Sequence, residues 1–571
     1  MSRVPLVAAT VPDLLRRRAA SEPDAAAVID PRGRVLRPGP WLAEAERLAR
    51  ALVHRGVHTG DFVWLVAAEE DYRDFAVAYL AVLLAGAVAV PVSADDHAPA
   101  LRAHPRLHGA FTLSCGGGPG VAFADLAAGP EAPGTLPEIR PDMPAEVSFT
   151  SGTEGEPKAV VSYHETLCST YASEALTSQP QQGSRFLLAL PFGHTFAQTI
   201  FIDALQTQGA ELHVLAGFEP RAFVTELGRR SITVTFLVPA MLEILLREPE
   251  LDWAGATALD VVCVSGAAVR REALDFLARQ VPHATVVNSY CGTEVWPAGT
   301  DWVYRPDEPV SAGLPWEGRE IRVTGERGES LPPGEVGTLS MASLGVLPRS
   351  PLGAEGIPER GRWIRTGDLA SIDAKGRLTI VARAGDVFDC GGVLISPEDL
   401  EAVLLDHPAV TDAAVVPAAH PTLQAIPVAL VVTARPVEAA DVLAFGLDRL
   451  GPERAPRSVR FVATPPGIPR NRAGKVLRQE ATALLNRLAE TEFAADHQSV
   501  ELYLATTLGG LLGAPARTGN FFELGGDSLT ALKLCLRLQT DHGIQLDARL
   551  IREHPDLGDL AKAITGADRL R

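Results

Sequence analysis

The chain has 571 residues, 46% of them hydrophobic and 21% charged, which is typical of a folded globular protein. Its 70 acidic and 52 basic side chains give a formal net charge of −18, so no overall positive field would attract a nucleic acid or an anionic membrane surface, and neither partner is expected. The usual size of a domain predicts about three or four folding units in a chain of this length.

The N-terminal segment MSRVPLVAATVPDLLRRRAASEPD lacks the long apolar stretch of a signal peptide. The most apolar stretch, residues 77–92, is interrupted by Gly86 and Pro91, so it is predicted to be a buried helix leading into a buried strand. The six cysteines form no C-x-x-C pair and have no histidines at metal-ligand spacing, which argues against structural zinc and against a disulfide framework. We therefore expect a soluble, cytoplasmic protein.

Apolar runs of strand length alternate with helical patterns from about residue 10 to residue 380, which predicts an α/β architecture with largely parallel, buried strands. Shorter segments follow, with room for a small α+β domain. The stretch LAETEFAADHQ at 488–498 has no clear amphipathic repeat and is predicted to be a linker, and the residues after it are mostly helical in pattern. The expected parts are a large α/β part at 1–384, a small α+β part at 385–490 and an all-α helical bundle at 498–571.

The first chemical signal is the segment FTSGTEGEPKAVV, which is rich in glycine and in small hydroxyl residues. Such a backbone can curl so that its N–H groups and the hydroxyls of Thr150, Ser151 and Thr153 converge on phosphate oxygens, while Lys158 adds a positive charge. The segment does not match the Walker pattern G-x-x-x-x-G-K-[ST]. A glycine- and serine-rich surface loop is therefore the alternative for this segment alone.

The letters TSGTEGEPK resemble the phosphate loop of the adenylate-forming superfamily, which includes acyl-CoA synthetases, luciferases and the adenylation domains of nonribosomal peptide synthetases. The resemblance implies that Gly152 and Gly155 also belong to an ATP-binding loop. Glu154 stands where the family most often has a second threonine. A carboxylate beside a triphosphate is electrostatically unfavourable, so we expect this side chain to point to solvent.

Two further motifs follow in the order of the superfamily. LPFGHTFAQ resembles the segment at the mouth of the acyl pocket, which implies that His194 orients the substrate carboxylate; a structural or exposed histidine is the alternative. VSGAAV resembles the strand and turn that flank adenine and the acyl chain, where Gly266 and Ala267 let a ligand approach the main chain.

NSYCGTEVW resembles the tyrosine-to-glutamate motif of the family. By this resemblance Tyr290 stacks on adenine, Thr293 touches the α-phosphate and Glu294 holds Mg²⁺, for which a carboxylate oxygen is a suitable ligand. Ser289, immediately before the tyrosine, is assigned to the same nucleotide site. Cys291 replaces the usual glycine, which changes the expected turn geometry.

Three later residues complete the resemblance. RWIRTGDLA supplies Asp368, whose carboxylate would accept both ribose hydroxyls, and RLTIVARAGD supplies Arg383, which would contact ribose or phosphate. Gly385 departs from the Asp or Lys that the family usually has at the hinge, and glycine permits unusual backbone angles there. PGIPRNRAGKVLRQE supplies Lys475, whose ammonium would stabilise charge as pyrophosphate leaves.

The segment NFFELGGDSLTALKL places Ser528 where a glycine-rich loop ends and a helical pattern begins. A serine in that position often caps the helix, which is the alternative for a bare D-S-L. The whole segment closely resembles the attachment motif of carrier proteins. That resemblance implies that a separate phosphopantetheinyl transferase adds 4′-phosphopantetheine to Ser528.

Together the motifs imply an ATP- and Mg²⁺-dependent enzyme that activates a carboxylic acid as its acyl-adenylate and loads it on its own carrier thiol. The chain would be an initiation or loading module of nonribosomal peptide or polyketide-type biosynthesis, supplying condensation, ketosynthase-type or tailoring enzymes. The alternatives are an amino-acid-activating adenylation–thiolation didomain, an acyl-CoA ligase that releases acyl-CoA, and a docking scaffold whose carrier is loaded in trans.

The substrate is expected to lack an α-amino group. Amino-acid-activating relatives commonly have Asp immediately after the position of His194, where this chain has Thr195. An unpaired ammonium buried there would be costly. The other aligned pocket positions are expected to be apolar and tight, and they are Phe196, Phe236, Cys263, Ser265 and Ser289. We expect an aryl or short acyl acid.

Overall fold

The computed structural model describes residues 10–566 except 94–103, 105–106, 108, 118, 130–131, 151–157, 170–181, 249, 344–345, 354–356, 421–422, 472–473, 496, 516, 543 and 545. The chain divides into two compact units. The first runs to Val387 and takes in Arg470–Lys475, and the second holds Phe388–Pro469 and the residues from Val476 onward.

A nine-stranded sheet of the first unit has the order β15-β14-β13-β12-β11-β9-β10-β1-β2, with strands numbered along the chain. All neighbours from β1 to β13 are parallel, and the strands beyond them at either edge are antiparallel. The strands are β1 Val28–Ile29, β2 Val35–Leu36, β9 Arg185–Leu188, β10 Glu211–Val214, β11 Val234–Leu237, β12 Val261–Ser265, β13 Thr285–Cys291, β14 Gly299–Val303 and β15 Leu314–Pro315.

A seven-stranded sheet follows the same plan, in the order β18-β8-β7-β4-β3-β5-β6. The neighbours in the order β7-β4-β3-β5-β6 pair in parallel. Strand β8 is antiparallel to β7, and β18 is antiparallel to β8. The strands are β3 Phe62–Ala67, β4 Val88–Ser93, β5 Phe111–Cys115, β6 Val121–Ala122, β7 Pro144–Thr150, β8 Lys158–Tyr163 and β18 Ser350–Pro351. The prediction of largely parallel, buried strands is confirmed for both sheets.

Helices cover these two sheets. They are α1 Val11–Ser21, α2 Pro38–His54, α3 Tyr72–Leu84, α4 Phe123–Ala127, α5 His164–Cys168, α6 Thr195–Gln206, α7 Pro220–Arg229, α8 Pro239–Leu246 and α9 Arg271–Gln280. Helix α3 is almost wholly buried and leads into the buried strand β4, as the apolar stretch predicts. Across the part of the chain that the structure describes, no helix has the length and apolarity that a bilayer crossing requires.

A four-stranded antiparallel sheet, in the order β16-β17-β19-β20, completes the first unit. The strands are β16 Arg319–Thr324, β17 Gly337–Ser343, β19 Ile364–Ile372 and β20 Leu378–Arg383. Its apolar core includes Val295 and Ala298, which follow β13, with Tyr290 packed against it. This packing brings the end of β13 next to β19 and β20.

The second unit begins with a mixed sheet and its helices, as the α+β pattern predicts. The elements are β21 Phe388–Cys390, β22 Val393–Ile395, α10 Pro397–Leu405, β23 Val410–His420, β24 Gln424–Thr433, α11 Ala439–Arg454, β25 Ser458–Phe461 and α12 Arg478–Ala495. The prediction of a linker at 488–498 is wrong, because α12 continues to Ala495. Alanine, leucine and glutamate are strong helix formers, and they sustain the helix without an amphipathic repeat.

Helices make up the rest of the second unit: α13 His497–Leu512, α14 Ser528–His542, α15 Ala548–Glu553 and α16 Leu557–Gly566. Their core is a separate apolar cluster that includes Leu504, Phe521, Leu534 and Leu560, all fully buried. Gly526 packs against Phe521 so closely that a Cβ there would lie 2.4 Å from the phenyl ring. The loop before α14 therefore requires glycine at this position.

Candidate active site

Asp368 and Arg383 form a cross-strand pair on β19 and β20, where they are partners in the antiparallel register. Arg383 Nε lies 3.0 Å from Asp368 Oδ1, and the Asp368 side chain is 7% exposed. Arg383 Nη1 also donates to the carbonyl oxygen of Thr366 at 3.0 Å. Directly opposed residues of a sheet are close neighbours, which explains why two residues 15 positions apart meet here.

Tyr290, near the end of β13, donates its hydroxyl hydrogen to the other carboxylate oxygen of Asp368. Burial raises the pKa of Tyr290, and the Asp368 carboxylate raises it further, so the phenol remains a donor. A carboxylate offers about four acceptor positions, and these two contacts leave room for further donors. The structure thus brings Tyr290, Asp368 and Arg383 together in one cluster.

The predicted pocket residues lie on adjacent parallel strands. The register pairs Phe236 of β11 with Cys263 of β12, and Ser265 of β12 with Ser289 of β13. Phe196 of α6 packs edge-on against Phe236 with ring centroids 5.8 Å apart. In open α/β sheets, ligands bind outside the carboxyl ends of parallel strands, so this position suits a substrate pocket.

The prediction of an apolar pocket is wrong in part, because carboxylates lie beside it. Ser289 Oγ donates to Asp301, its partner on β14, and Cys263 Sγ lies 3.3 Å from Ser289 Oγ. Burial raises the pKa of the Cys263 thiol, and Asp301 and Asp203 raise it further, which places both carboxylates near the thiol. Asp301 was missed because it comes from the antiparallel strand that returns beside β13.

His194 caps helix α6. Its Nδ1 accepts a hydrogen bond from the backbone N–H of Phe196 at 3.3 Å, so the other ring nitrogen carries the hydrogen when the imidazole is neutral. Burial and, to a smaller extent, the Lys475 ammonium lower the pKa of His194 to about 4. The ring is therefore a neutral donor at pH 7, and the cap accounts for only one of its nitrogens.

Lys475 belongs to the first unit through the segment Arg470–Lys475. Lys475 N donates to Asn471 Oδ1 at 2.9 Å within a tight turn. Gly474 approaches helix α8 so closely that a Cβ would lie 2.4 Å from Ala240 Cβ. The Lys475 ammonium contributes to the lowered pKa of His194 and partly offsets the raised pKa of Cys291, so it acts on the start of α6 and on the end of β13.

Thr293 and Glu294 follow β13 and are half-buried. Thr293 Oγ1 donates to Thr195 Oγ1 at 3.2 Å, which links this turn to the start of α6. Arg349 Nη1 contacts the Thr195 hydroxyl and the Thr293 carbonyl oxygen. Arg349 belongs to none of the motifs named from the sequence. The available signal was a single arginine within the apolar segment SLGVLPRSPLG.

The predicted phosphate loop is described only at its two ends. Thr150 is the last residue of β7 and pairs with Lys158, the first residue of β8. Lys158 is exposed. The predictions for Ser151, Gly152, Thr153, Glu154 and Gly155 concern residues outside those that the structure describes.

Two glycines named from the sequence differ in what the backbone requires of them. Gly266, directly after β12, has φ +99°, a conformation that glycine adopts readily, and exposed Ala267 follows it. Gly385 has no such φ, and a Cβ there would meet no atom within 4 Å. The expected use of an unusual backbone angle at Gly385 is therefore not observed.

Ser528 is the first residue of helix α14. Asp527 Oδ1 accepts from Thr530 N at 2.8 Å and from Thr530 Oγ1 at 2.6 Å, so Asp527 caps this helix. Leu529 and Leu532 are more than half exposed, although they belong to the predicted apolar pattern. Ser528 thus begins a helix that the preceding residue caps.

Comparison with protein-family models gives a match over most of the chain. The "AMP-binding enzyme" model matches residues 15–110 and 117–349. The chain belongs to this family. The "AMP-binding enzyme C-terminal domain" model matches residues 399–475, and the "Phosphopantetheine attachment site" model matches residues 503–564.

Relatives include both CoA ligases and peptide synthetases. The chain is 29% identical to "4-coumarate--CoA ligase-like 6" of Arabidopsis thaliana, over 61% of this chain and 64% of that protein. It is 30% identical to "Phosphinothricin tripeptide synthetase PhsB" of Streptomyces viridochromogenes, over 98% of this chain and 49% of that protein. The structure of McyG A-PCP complexed with phenylalanyl-adenylate shares the fold, with a TM-score of 0.73, 18% identity, and coverage of 97% of this chain and 98% of that one.

Proposed function

We propose that this AMP-binding enzyme activates a carboxylic acid with ATP and transfers the acyl group to a phosphopantetheine thiol on Ser528. The observation that carries the proposal is that the segment Arg470–Lys475, far along the chain, belongs to the first unit, where Gly474 lies against helix α8. The Lys475 ammonium also contributes to the lowered pKa of His194. The proposed parts are 1–384 and 385–490 for adenylation and 498–571 for the carrier.

The nucleoside of ATP would bind at the Asp368 cluster. The carboxylate would accept the ribose hydroxyls at the positions that Tyr290 and Arg383 leave open, while the tyrosine ring would stack on adenine. The turn after β12 would lie against the nucleotide, and so would Ser289. The residues assigned to the phosphates are Thr150, Ser151, Gly152, Thr153, Gly155, Lys158 and Thr293.

Glu294 would hold Mg²⁺. The described residues contain no group of three His, Cys, Asp or Glu side chains placed to bind a metal ion. A single carboxylate fits Mg²⁺, which is commonly held by one or two carboxylates, substrate phosphates and water. When bound, the ion would neutralise phosphate charge during pyrophosphate departure.

In the proposed reaction an oxygen of the acid attacks the α-phosphorus of ATP. The bond from that phosphorus to the bridging oxygen breaks, and the electron pair leaves with pyrophosphate. Lys475 would offset the negative charge that develops, and the neutral His194 ring would donate its hydrogen to the acid's carboxylate. The hydrogen bond from Phe196 N orients the His194 ring in advance, so little reorganisation of this donor is needed as charge moves.

Ser528 would carry 4′-phosphopantetheine after modification by a separate transferase. The residues fit this assignment, because Ser528 begins α14 and the cap of this helix is provided by the preceding residue, Asp527. The bound group would supply a thiol that accepts an acyl group. We further propose that the chain loads the first unit in nonribosomal peptide or polyketide-type biosynthesis, with condensation, ketosynthase-type or tailoring enzymes downstream.

The proposed substrate is an aryl or short acyl acid without an α-amino group, because Thr195 stands where an ammonium would need a carboxylate. A second candidate function is acyl-CoA release, which the similarity to "4-coumarate--CoA ligase-like 6" favours. The aromatic pocket wall of Phe196 and Phe236 is compatible with acyl transfer to Ser528 and with acyl-CoA release.

ATP–pyrophosphate exchange with a panel of benzoates, alkanoates and α-amino acids tests the activation step. We expect exchange with at least one carboxylic acid and its loss in Lys475→Ala. Arg435→Ala, which changes a cation in the second unit, serves as the control and should keep the activity. An absence of exchange with every acid, or full exchange in Lys475→Ala, would contradict the proposal.

A further inference from the structure

Arg349 is a buried cation that the protein leaves incompletely bonded. The residue is 2% exposed, and its Nε and Nη2 have no hydrogen-bond partner among the described residues. Its Nη1 makes two long contacts, 3.5 Å to Thr195 Oγ1 and 3.4 Å to the Thr293 carbonyl oxygen. Burying a charge without a paired carboxylate is expensive, so this guanidinium lacks the anion that would normally accompany it.

No carboxylate of the described part of the chain forms an ion pair with Arg349. Glu146 and Glu294 act on it from a longer distance. Glu146 already accepts hydrogen bonds from Tyr79 and Ser148, both at 2.7 Å. The charge of Arg349 is therefore offset only at longer range, by Glu146 and Glu294, and not by a directly paired carboxylate.

The Thr195 hydroxyl connects this cation to the substrate side of the site. Its oxygen accepts from Thr293 Oγ1 at 3.2 Å and from Arg349 Nη1. An oxygen that accepts two hydrogen bonds still has its own hydrogen to donate. Thr195 follows His194 directly, so two neighbouring side chains present hydrogen-bond donors at the start of α6.

A second cation converges on the same region. Burial and the Asp301 carboxylate raise the pKa of the Cys291 thiol, while the hydrogen bond with Ser265 and the cations Arg349 and Lys475 lower it, and the result is about 11. Cys291 ends β13, two residues before Thr293. Two cations from distant segments of the chain, and one carboxylate, therefore act on the end of β13.

We propose that Arg349 and Thr195 form an oxyanion site that positions the reacting carboxylate and excludes an α-ammonium. Thr195 donates to a carboxylate oxygen, and Arg349, which is too buried to touch the acid, fixes the hydroxyl and supplies positive charge. Arg349 is thus a positioning residue. At Thr195 an α-ammonium would meet hydrogen-bond donors and the charge of Arg349 in place of a paired carboxylate, which is a repulsive basis for specificity. The inference rests on the proposed adenylation reaction.

The test uses ATP–pyrophosphate exchange with matched probes: phenylacetate, 3-phenylpropanoate and butanoate against phenylglycine, phenylalanine and 2-aminobutanoate, with benzoate added. The wild-type chain should prefer the acids without an amino group. Arg349→Met should raise the KM for the acid about ten- to hundredfold, because the Thr195 hydroxyl would lose the cation that orients it and strengthens its hydrogen bond to the acid. The KM for ATP should not change, and Arg349→Lys should restore part of the loss.

Thr195→Val should reproduce the effect of Arg349→Met, and the double variant should be no worse than either, because the two residues act as one unit. Arg319→Met is a matched control, since the Arg319 guanidinium is bonded to Ser169 at 2.6 Å and to the Pro297 carbonyl oxygen at 2.7 Å. That variant should lower thermal stability and leave the KM for the acid unchanged. Thermal unfolding and ATP affinity verify that each variant is folded.

Three results would overturn the inference. An unchanged KM for the acid in folded Arg349→Met would show that the guanidinium is structural only. A rise confined to the KM for ATP would assign the same cation to the triphosphate. A wild-type preference for the α-amino probes would contradict the exclusion. Absence of exchange with every probe, in protein that still binds ATP, would instead contradict the proposed function on which the inference rests.

Discussion

Asp368→Asn is expected to weaken ATP binding about thirtyfold while preserving the shape of the side chain. The carboxylate accepts from Tyr290 and Arg383 and is nearly buried. A hydrogen bond contributes roughly 1.5–3 kcal/mol with a charged acceptor and roughly 0.5–1.5 kcal/mol with a neutral one, so each ribose hydroxyl would lose about 1 kcal/mol. The two hydroxyls together lose about 2 kcal/mol, which is about thirtyfold in Kd.

Isothermal titration calorimetry with Mg·ATP measures this loss without any acid present. Asp373→Asn is the matched control, because the Asp373 carboxylate lies in the turn between β19 and β20 and bonds to Arg377 at 2.8 Å. Thermal unfolding shows whether each variant is folded. An unchanged ATP Kd in folded Asp368→Asn would refute the assignment of this carboxylate to the ribose.

Three other predictions concern pH, backbone and carrier. The pKa of His194 is about 4 in the folded chain and ordinarily 6.5, so the unfolded chain binds a proton at this residue first as the pH falls. The free energy of unfolding should therefore decrease between pH 6.5 and pH 4. His194→Asn should make this decrease smaller, as measured by thermal unfolding. Gly526→Ala should lower stability by about 1–3 kcal/mol through overlap with the packed phenyl ring, whereas Gly385→Ala should raise it by about 0.4–1 kcal/mol. Ser528→Ala should abolish the mass gain that a phosphopantetheinyl transferase produces with CoA, and it should not reduce the helical content. Asp527→Ala should destabilise helix α14 by about 1 kcal/mol, which circular dichroism would detect as a loss of helix.

Each of these predictions has a contrary outcome. An unchanged pH dependence in His194→Asn would show that this ring does not control acid stability. Equal shifts in Gly526→Ala and Gly385→Ala would contradict the difference in their surroundings. A mass gain that persists in Ser528→Ala would move the attachment site elsewhere.

Much of the first unit could be predicted from the sequence, because buried strands and helices leave regular apolar patterns. Asp368 and Arg383 were each named from a separate sequence motif. The short turn between β19 and β20 makes the two residues cross-strand partners. Elements and residues that local sequence marks were therefore accessible in advance, whereas the roles given to the site residues stay predictions.

Other features depend on contacts that no local pattern reveals. Asp301 reaches Ser289 because β14 returns antiparallel to β13, and Arg349 reaches Thr195 from a segment 154 positions away. The helix through 488–495 was missed for a different reason, since its alanines and glutamates favour a helix without marking a buried face.

The mass of the intact protein tests the central claim most directly. The chain would first be modified by a phosphopantetheinyl transferase and then incubated with Mg·ATP and the acid that supports exchange. We predict a further mass gain equal to the acid minus water, absent in Ser528→Ala and in Lys475→Ala. Free acyl-CoA as the main product when CoA is supplied, with no acyl group on the modified protein, would contradict the account.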